Sequence, residues 1–203
     1  MGFYARRLRP RLVDATMRTP ELRELRERAC EGLAGDVLEI GYGSGLNLPH
    51  LPPQVRGVWA VEPSTTALEL AGRRVGTCPV TIAGADAQRT DLPDDRFDAA
   101  LSTWNLCGID DPVAAVREVA RVLRPGGMLH FVEHGRAPDE DVLRRQRRLN
   151  PLNRRVTGCF LDRDVAAVVR AGGMDLVRLR TYYHPTFPRV TAFTYEGRAV
   201  APA

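Results

Sequence analysis

The chain has 203 residues, 44% of them apolar, enough for one ordinary core, and no unbroken apolar run approaches the ~18 residues of a membrane span. Its formal net charge is +4 and all 29 basic residues are arginine, which excludes Schiff-base lysine chemistry and a Walker A lysine. Cys30, Cys78, Cys107 and Cys159 lack C-x-x-C spacing, so they read as reduced thiols, with neither a structural zinc site nor a disulfide framework. The first residues are charged from Arg6 onward without a secretory pattern, which makes cytoplasmic the default location.

In chain order, Thr19-Pro20 supplies an N-cap and first helical residue, and Leu22, Leu25, Ala29 and Leu33 form the apolar stripe of a helix ending near Gly32 or Gly35. A short apolar strand follows and runs into residues 37–47, VLEIGYGSGLN. Glycines at 41, 43 and 45 let a strand turn tightly beneath a bound nucleotide. The dinucleotide fingerprint G-x-G-x-x-G would need a glycine where Leu46 stands, so a nicotinamide cofactor is disfavoured.

Residues 58–64, VWAVEPS, read as the next strand, ending in Glu62, whose carboxylate suits two adjacent ribose hydroxyls. Ser64 then caps a helix with Leu68, Ala71 and Val75 on one face. Residues 80–87 form a third strand ending at Asp86, placed to accept from an adenine amine while the Ala87 amide donates to the ring. Residues 97–104 form a fourth, with Asn105 at its mouth. Asp111-Pro112 opens a helix with Val113, Val116, Ala120 and Leu123 on one face. The turn at 124–127, RPGG, stops it before a fifth strand at 128–133. Asp162 can cap a helix running to Gly172-Gly173, and residues 176–183 and 191–200 read as a closing hairpin.

These blocks, in this order, resemble the class I S-adenosylmethionine-dependent methyltransferases of the methyltransferase domain 11 type. The resemblance implies an α/β fold: a doubly wound, seven-stranded Rossmann-like sheet with its last strand antiparallel and helices on both faces. It also implies S-adenosylmethionine as cofactor, held by Glu39, Gly41, Gly43, Gly45, Asn47, Glu62, Pro63, Asp86, Ala87, Trp104 and Asn105. A narrower likeness is carried by Phe3-Tyr4-Ala5 followed by arginines, LEIGYGSGLNLPHLP, AVEPS, RVLRPGGMLHFVEHG and PLNRRVTGCFLDRD. It is to bacterial relatives of the methyltransferase-like thiol methyltransferases, and it suggests a thiol acceptor. Residues 157–163, TGCFLDR, resemble that group's G-C-x-L-x-R block, where substrate would be shielded. One domain is expected over 1–203: a helical lid (1–35), a cofactor-binding core (36–134), a substrate cap (135–161), and a closing helix and hairpin (162–203).

His134, just past the fifth strand, is the candidate general base, with Glu133 either positioning it or pairing with an arginine. Cys107 and Cys159 read as packing or pocket lining, His130 as core, and no metal is expected, because His130, His134 and a cysteine lack metal-ligand spacing. Residues 144–155 hold six arginines and no acid or aromatic residue. That disfavours nucleic acid and leaves a solvated face, a peripheral contact with anionic lipid headgroups, or a substrate cap. A small-molecule methyl acceptor is the expected partner. A catalytically silent sensor, or an enzyme acting on a lipid headgroup or phenol, is the alternative.

Overall fold

The computed structural model describes residues 4–202; Phe3 of the narrower resemblance lies outside them. Seven strands form one sheet: β1 (Gly35–Ile40), β2 (Val55–Val61), β3 (Val80–Gly84), β4 (Phe97–Thr103), β5 (Leu123–His134), β6 (Asp175–Tyr183) and β7 (Phe193–Val200). Their spatial order is β3-β2-β1-β4-β5-β7-β6. The first five are parallel, whereas β7 slots between β5 and β6 antiparallel to both, from Met128 opposite Val200 to His134 opposite Thr194. This is the α/β arrangement expected. Because β2 and β4 leave β1 on opposite sides, a crevice opens at the carboxyl ends of β1 and β4, where doubly wound sheets bind ligands.

The helices are α1 (Arg9–Thr16), α2 (Pro20–Cys30), α3 (Thr65–Ala71), α4 (Pro112–Val122), α5 (Glu140–Val156), α6 (Val165–Ala171) and the short α7 (Arg189–Ala192). Thr19, Ser64 and Asp111 cap α2, α3 and α4, each side-chain oxygen accepting a backbone N–H three residues on. One apolar cluster joins α4 and α6 to the sheet through Phe97, Val116, Val119, Phe131 and Val169. The other joins α2 to the sheet through Leu22, Leu25, Ala29, Leu33, Val37 and Leu101. Burying such side chains stabilises the fold by roughly 1.5–3 kcal/mol each.

Several local expectations are corrected. The helix after β2 stops at Ala71, and Val75 is 89% exposed. The buried face of α4 is Ala115, Val116, Val119 and Val122, with Val113 and Ala120 at its margins. β5 begins at Leu123, which pairs with Phe97; the RPGG turn then interrupts the register, Gly126 taking φ +79°, and pairing resumes at Met128 opposite Ala99. Asp164, not Asp162, caps α6, since Asp162 is engaged by Asn150 Nδ2 at 2.6 Å. β7 starts at Phe193, after the helical turn α7.

Candidate functional site

Gly41, Gly43 and Gly45 all adopt positive φ, at +68°, +58° and +73°, but their surroundings differ. A Cβ on Gly41 would lie 2.1 Å from Asn105 Cγ, and one on Gly45 would lie 2.9 Å from the Tyr42 hydroxyl. At Gly43 the nearest atom would be the Gly41 carbonyl oxygen at 3.8 Å. The outer glycines therefore let protein pack against the loop, and Gly43 alone leaves its face open to a ligand. Beside it, Glu62 Oε2 accepts the Gly43 N–H and Oε1 accepts the Ser64 N–H, both at 2.8 Å. Burial raises the Glu62 pKa above the ordinary carboxylate value against these bonds.

A cavity of about 480 Å³ opens over this loop, within the range of small-molecule and cofactor sites. Of the residues expected to hold cofactor, Gly41, Gly43, Glu62, Pro63, Asp86, Ala87, Trp104 and Asn105 line it. Glu39, Gly45 and Asn47 lie behind its wall. Asn47 Nδ2 donates to Glu39 Oε1 at 2.7 Å and to Thr103 Oγ1 at 3.0 Å, while Arg26 Nη1 donates to Asn47 Oδ1 at 2.8 Å. Burial pushes the Glu39 carboxyl up to about 8 and the Arg26 guanidinium down to about 10. Trp104, the residue after β4, has φ +49°, a conformation rare outside glycine, and its ring lies under Arg26 at 4.8 Å.

The far wall comes from segments that carried no cofactor signal. From the N-terminal helical region, Arg9, Pro10, Val13, Asp14 and Met17 reach the cavity. Asp14 is tied to the glycine loop by Ser44 Oγ at 2.5 Å and by Arg74. Burial opposes ionisation of Asp14, but the Ser44 hydrogen bond and the Arg18 and Arg74 guanidiniums hold its pKa below the ordinary value. Of the expected substrate cap, the wall receives only Thr157, Gly158 and Cys159. The preceding helix α5 turns its arginines outward, with Arg144, Arg147 and Arg154 paired to Asp141, Asp162 and Asp110.

His134 is not on the cavity wall, and it does not stand alone. Cys107, His134 and Cys159 each offer a ligand atom, and the three atoms lie within 4.8 Å of one another. β4's exit loop, the end of β5 and the turn after α5 converge here and bring together Cys107 and Cys159, two residues read from the sequence as packing or pocket lining, a proximity that sequence spacing cannot express. Cys159 is the member that lines the cavity. The neighbouring Cys107 thiol and His134 imidazole hold the Cys159 thiol well below its usual value despite burial, whereas Cys107 is pushed up, first by Cys159 and then by burial. His134 Nδ1 is buried without a hydrogen-bond partner.

Among the described residues, Glu133 makes no hydrogen bond to His134 and no ion pair with an arginine. It accepts Ser102 Oγ at 3.0 Å and the N–H groups of Asn105, Leu106 and Cys107 at 2.8, 2.9 and 3.3 Å. It thereby fixes the loop that brings Cys107 to His134. His130 is core as expected, its Nδ1 3.0 Å from the Ala29 carbonyl.

Residues 38–131 match the family model described as "Methyltransferase domain". The chain is 32% identical over 135 residues to the thiol S-methyltransferase TMT1B of Rattus norvegicus, covering 63% of this chain and 55% of that protein. It is 36% identical over 104 residues to the phosphatidylethanolamine N-methyltransferase of Cereibacter sphaeroides, covering 49% and 51%. To the demethylmenaquinone methyltransferase of Clavibacter sepedonicus it is 35% identical over 115 residues, covering 55% and 46%. The chain thus spans about half the length of the curated relatives it matches. Among solved structures, a SAM-dependent methyltransferase from Thermotoga maritima superposes with TM-score 0.65 at 24% identity, covering 94% of this chain and 93% of that one. A chain from the complex of the Haloferax volcanii Trm112 methyltransferase activator with a methyltransferase reaches 0.72 at 15%, covering 94% and 93%. These likenesses establish the fold.

Proposed function

We infer that this chain, whose residues 38–131 match the methyltransferase domain model, transfers a methyl group from S-adenosylmethionine by direct displacement to a small-molecule thiol. The observation that carries the reading is the open face of Gly43, beside the Glu62 carboxylate, at the floor of the cavity. The chain's own polar groups fit that cofactor. Arg26 Nε and Asn105 Nδ2, on two lining residues, are buried without hydrogen-bond partners among the described residues, and unmet polar atoms at one place call for a polar ligand. Glu62 would take the ribose, Asp86 and Ala87 the adenine, and Arg26 with Asn105 the polar amino-acid end. Bound there, the sulfonium supplies an electrophilic methyl group.

The protein's task is then alignment, which can contribute about 7–11 kcal/mol in favourable intramolecular models. The wall around Trp104, Asn105 and Cys159 orients the acceptor, and the N-terminal helical region excludes water above it. A thiol is the acceptor favoured here because its pKa near ~8.5 already supplies some thiolate at neutral pH. No carboxylate or histidine needs to reach the acceptor, and His134 stays off the wall. Similarity to the TMT1B thiol S-methyltransferase supports the same choice.

The test is S-adenosylhomocysteine release across small thiols, phenols, phosphatidylethanolamine and a demethylated quinone. Thiol-dependent turnover is expected. Turnover confined to the lipid or the quinone would replace the acceptor, and cofactor binding without turnover on any class would favour the sensor reading.

A peripheral lipid contact keeps a specific observation in its favour. Leu149, Leu152 and Val156 are exposed on α5 among Arg145, Arg148 and Arg155, and Tyr4 reaches across to donate to the Val156 carbonyl at 3.1 Å. An apolar strip bordered by cations suits an anionic bilayer surface. Sedimentation with phosphatidylserine vesicles should be strong at low salt and fall at high salt; absence of binding at low salt would remove this contact.

A further inference from the structure

We propose that Cys107, His134 and Cys159 form a binding site for a zinc-class divalent cation, whose open coordination position faces the cavity and takes the acceptor thiol. The proposal rests on the thiol methyltransferase reading and deepens it.

Two thiol sulfurs and an imidazole are a donor set suited to zinc, and three protein ligands with an open fourth position characterise its catalytic rather than its structural sites. With Zn–S near ~2.3 Å and Zn–N near ~2.0–2.1 Å, tetrahedral coordination sets ligand atoms about 3.5–3.8 Å apart. The three atoms here lie within 4.8 Å of one another, so closure on an ion shortens a separation by about 1.3 Å at most. The surrounding frame is already built. Glu133 holds the Cys107 loop through three backbone N–H groups, Asn153 Nδ2 donates to the Cys159 carbonyl at 2.8 Å, and the Phe160 N–H donates to the Cys107 carbonyl at 2.9 Å. The last bond ties the two cysteine segments together directly.

His134 Nδ1 is buried and has no hydrogen-bond partner among the described residues. Because Cys159 belongs to the cavity wall while Cys107 is wholly buried, the remaining position points toward substrate. A thiol that enters it gives up its proton to solvent and stays bound as thiolate. The cation thus raises the thiolate fraction above what the free thiol supplies at neutral pH, and it fixes that sulfur at the acceptor end.

The experiment uses the full chain, reduced and stripped of metal, titrated with Zn²⁺ and with Co²⁺ as a spectroscopic probe. One equivalent should bind. Cobalt should give thiolate-to-metal charge-transfer absorption in the near ultraviolet and visible bands of tetrahedral intensity, which shift when a small thiol is added. Cys107→Ser, Cys159→Ser and His134→Ala should each weaken zinc binding by more than the ~10–100-fold typical of losing an outer-sphere partner. Cys78→Ser, outside the cluster, should leave it unchanged. If the ligand variants fold poorly, the cobalt spectrum of the native chain still reports the thiolate ligands. Absence of stoichiometric binding, a Cys107–Cys159 disulfide in its place, or equal binding by Cys159→Ser would overturn the proposal. S-adenosylhomocysteine binding is measured on the same samples. Its persistence without zinc binding sinks the metal site alone, whereas its absence from the native chain sinks the methyltransferase reading beneath it.

Discussion

The two ends of the cavity are built in opposite ways. The end proposed for the methyl donor is made of strand-end residues that recur at every turn of the βαβ rhythm: the glycine loop after β1, Glu62 after β2 and Asp86 after β3. Each functional group there sits within a few residues of the element that places it. The acceptor end gathers the N-terminal helical region, the loop after β4, the end of β5 and the turn after α5. Its residues are distant in sequence and meet through tertiary contacts, among them the Phe160 N–H bond to the Cys107 carbonyl and the Glu133 bonds to the loop after β4. A shared donor can be served by local motifs, whereas a private acceptor is met by tertiary contacts.

The joint between the two ends gives the largest expected effect. Glu133→Ala would leave three backbone N–H groups and the Ser102 hydroxyl without their acceptor in a buried loop. At roughly 1–3 kcal/mol for each unmet buried donor, with partial relaxation, a loss of about 3–5 kcal/mol is expected in urea unfolding. A loss below ~1 kcal/mol would mean that the loop holds itself and that the two ends are independent.

Next come changes that separate ligand contact from packing within the donor end. Gly43→Ala should cost the fold no more than the ~1–2 kcal/mol strain of its positive φ, yet reduce S-adenosylhomocysteine affinity by more than ~10-fold, because its Cβ points into open space. Gly41→Ala should do the reverse, destabilising the fold, since its Cβ would strike Asn105 at a positive φ. Equal effects at the two glycines in calorimetry and melting would erase the distinction drawn between them. Glu62→Ala should cost donor affinity about 10-fold or more, the scale of a lost hydrogen bond to a charged group.

A third prediction concerns pH and separates the β5 core from the site at its end. Burial, against the hydrogen bond to Ala29 and with Arg198 nearby, holds His130 down to about 4. The folded chain keeps this imidazole neutral while the unfolded chain takes up a proton near ~6.5. Stability is therefore fully present above pH ~6.5 and falls as pH drops from there toward 4, by about 3 kcal/mol at most. His130→Gln should flatten urea midpoints measured across that window, and an unchanged slope would place the acid sensitivity elsewhere. The smallest effect is expected at Asp86→Ala, whose carboxylate is exposed and already accepts from Gln88. A few-fold weaker cofactor affinity with an unaltered fold is predicted, and no change would remove the adenine assignment.

How much was legible in the sequence follows the same division. The sheet, the capped helices and the inserted last strand follow from periodicity, turn chemistry and family resemblance, because strand ends and N-caps are local devices. The helix boundaries near Val75 and Asp162 were misplaced where one polar or apolar residue stood close enough to continue the pattern, and tertiary engagement decided otherwise. His134 was singled out for lying at the ligand end of β5, but its partners Cys107 and Cys159 fall on separate segments and no spacing rule joins them. The one available sign was the TGCFLDR block, which placed Cys159 in a shielding turn without indicating what it faces. Asp14, which ties the N-terminal helical region to Ser44 and Arg74, carried no sequence signal at all.

The most direct measurement is a crystal structure of the full chain with S-adenosylhomocysteine and a small thiol. The account predicts ribose density at Glu62, adenine beside Asp86 and Ala87, and the acceptor sulfur in the part of the cavity bounded by Cys159. Nucleoside density away from the Gly43 face, or acceptor density remote from Cys159, would contradict it.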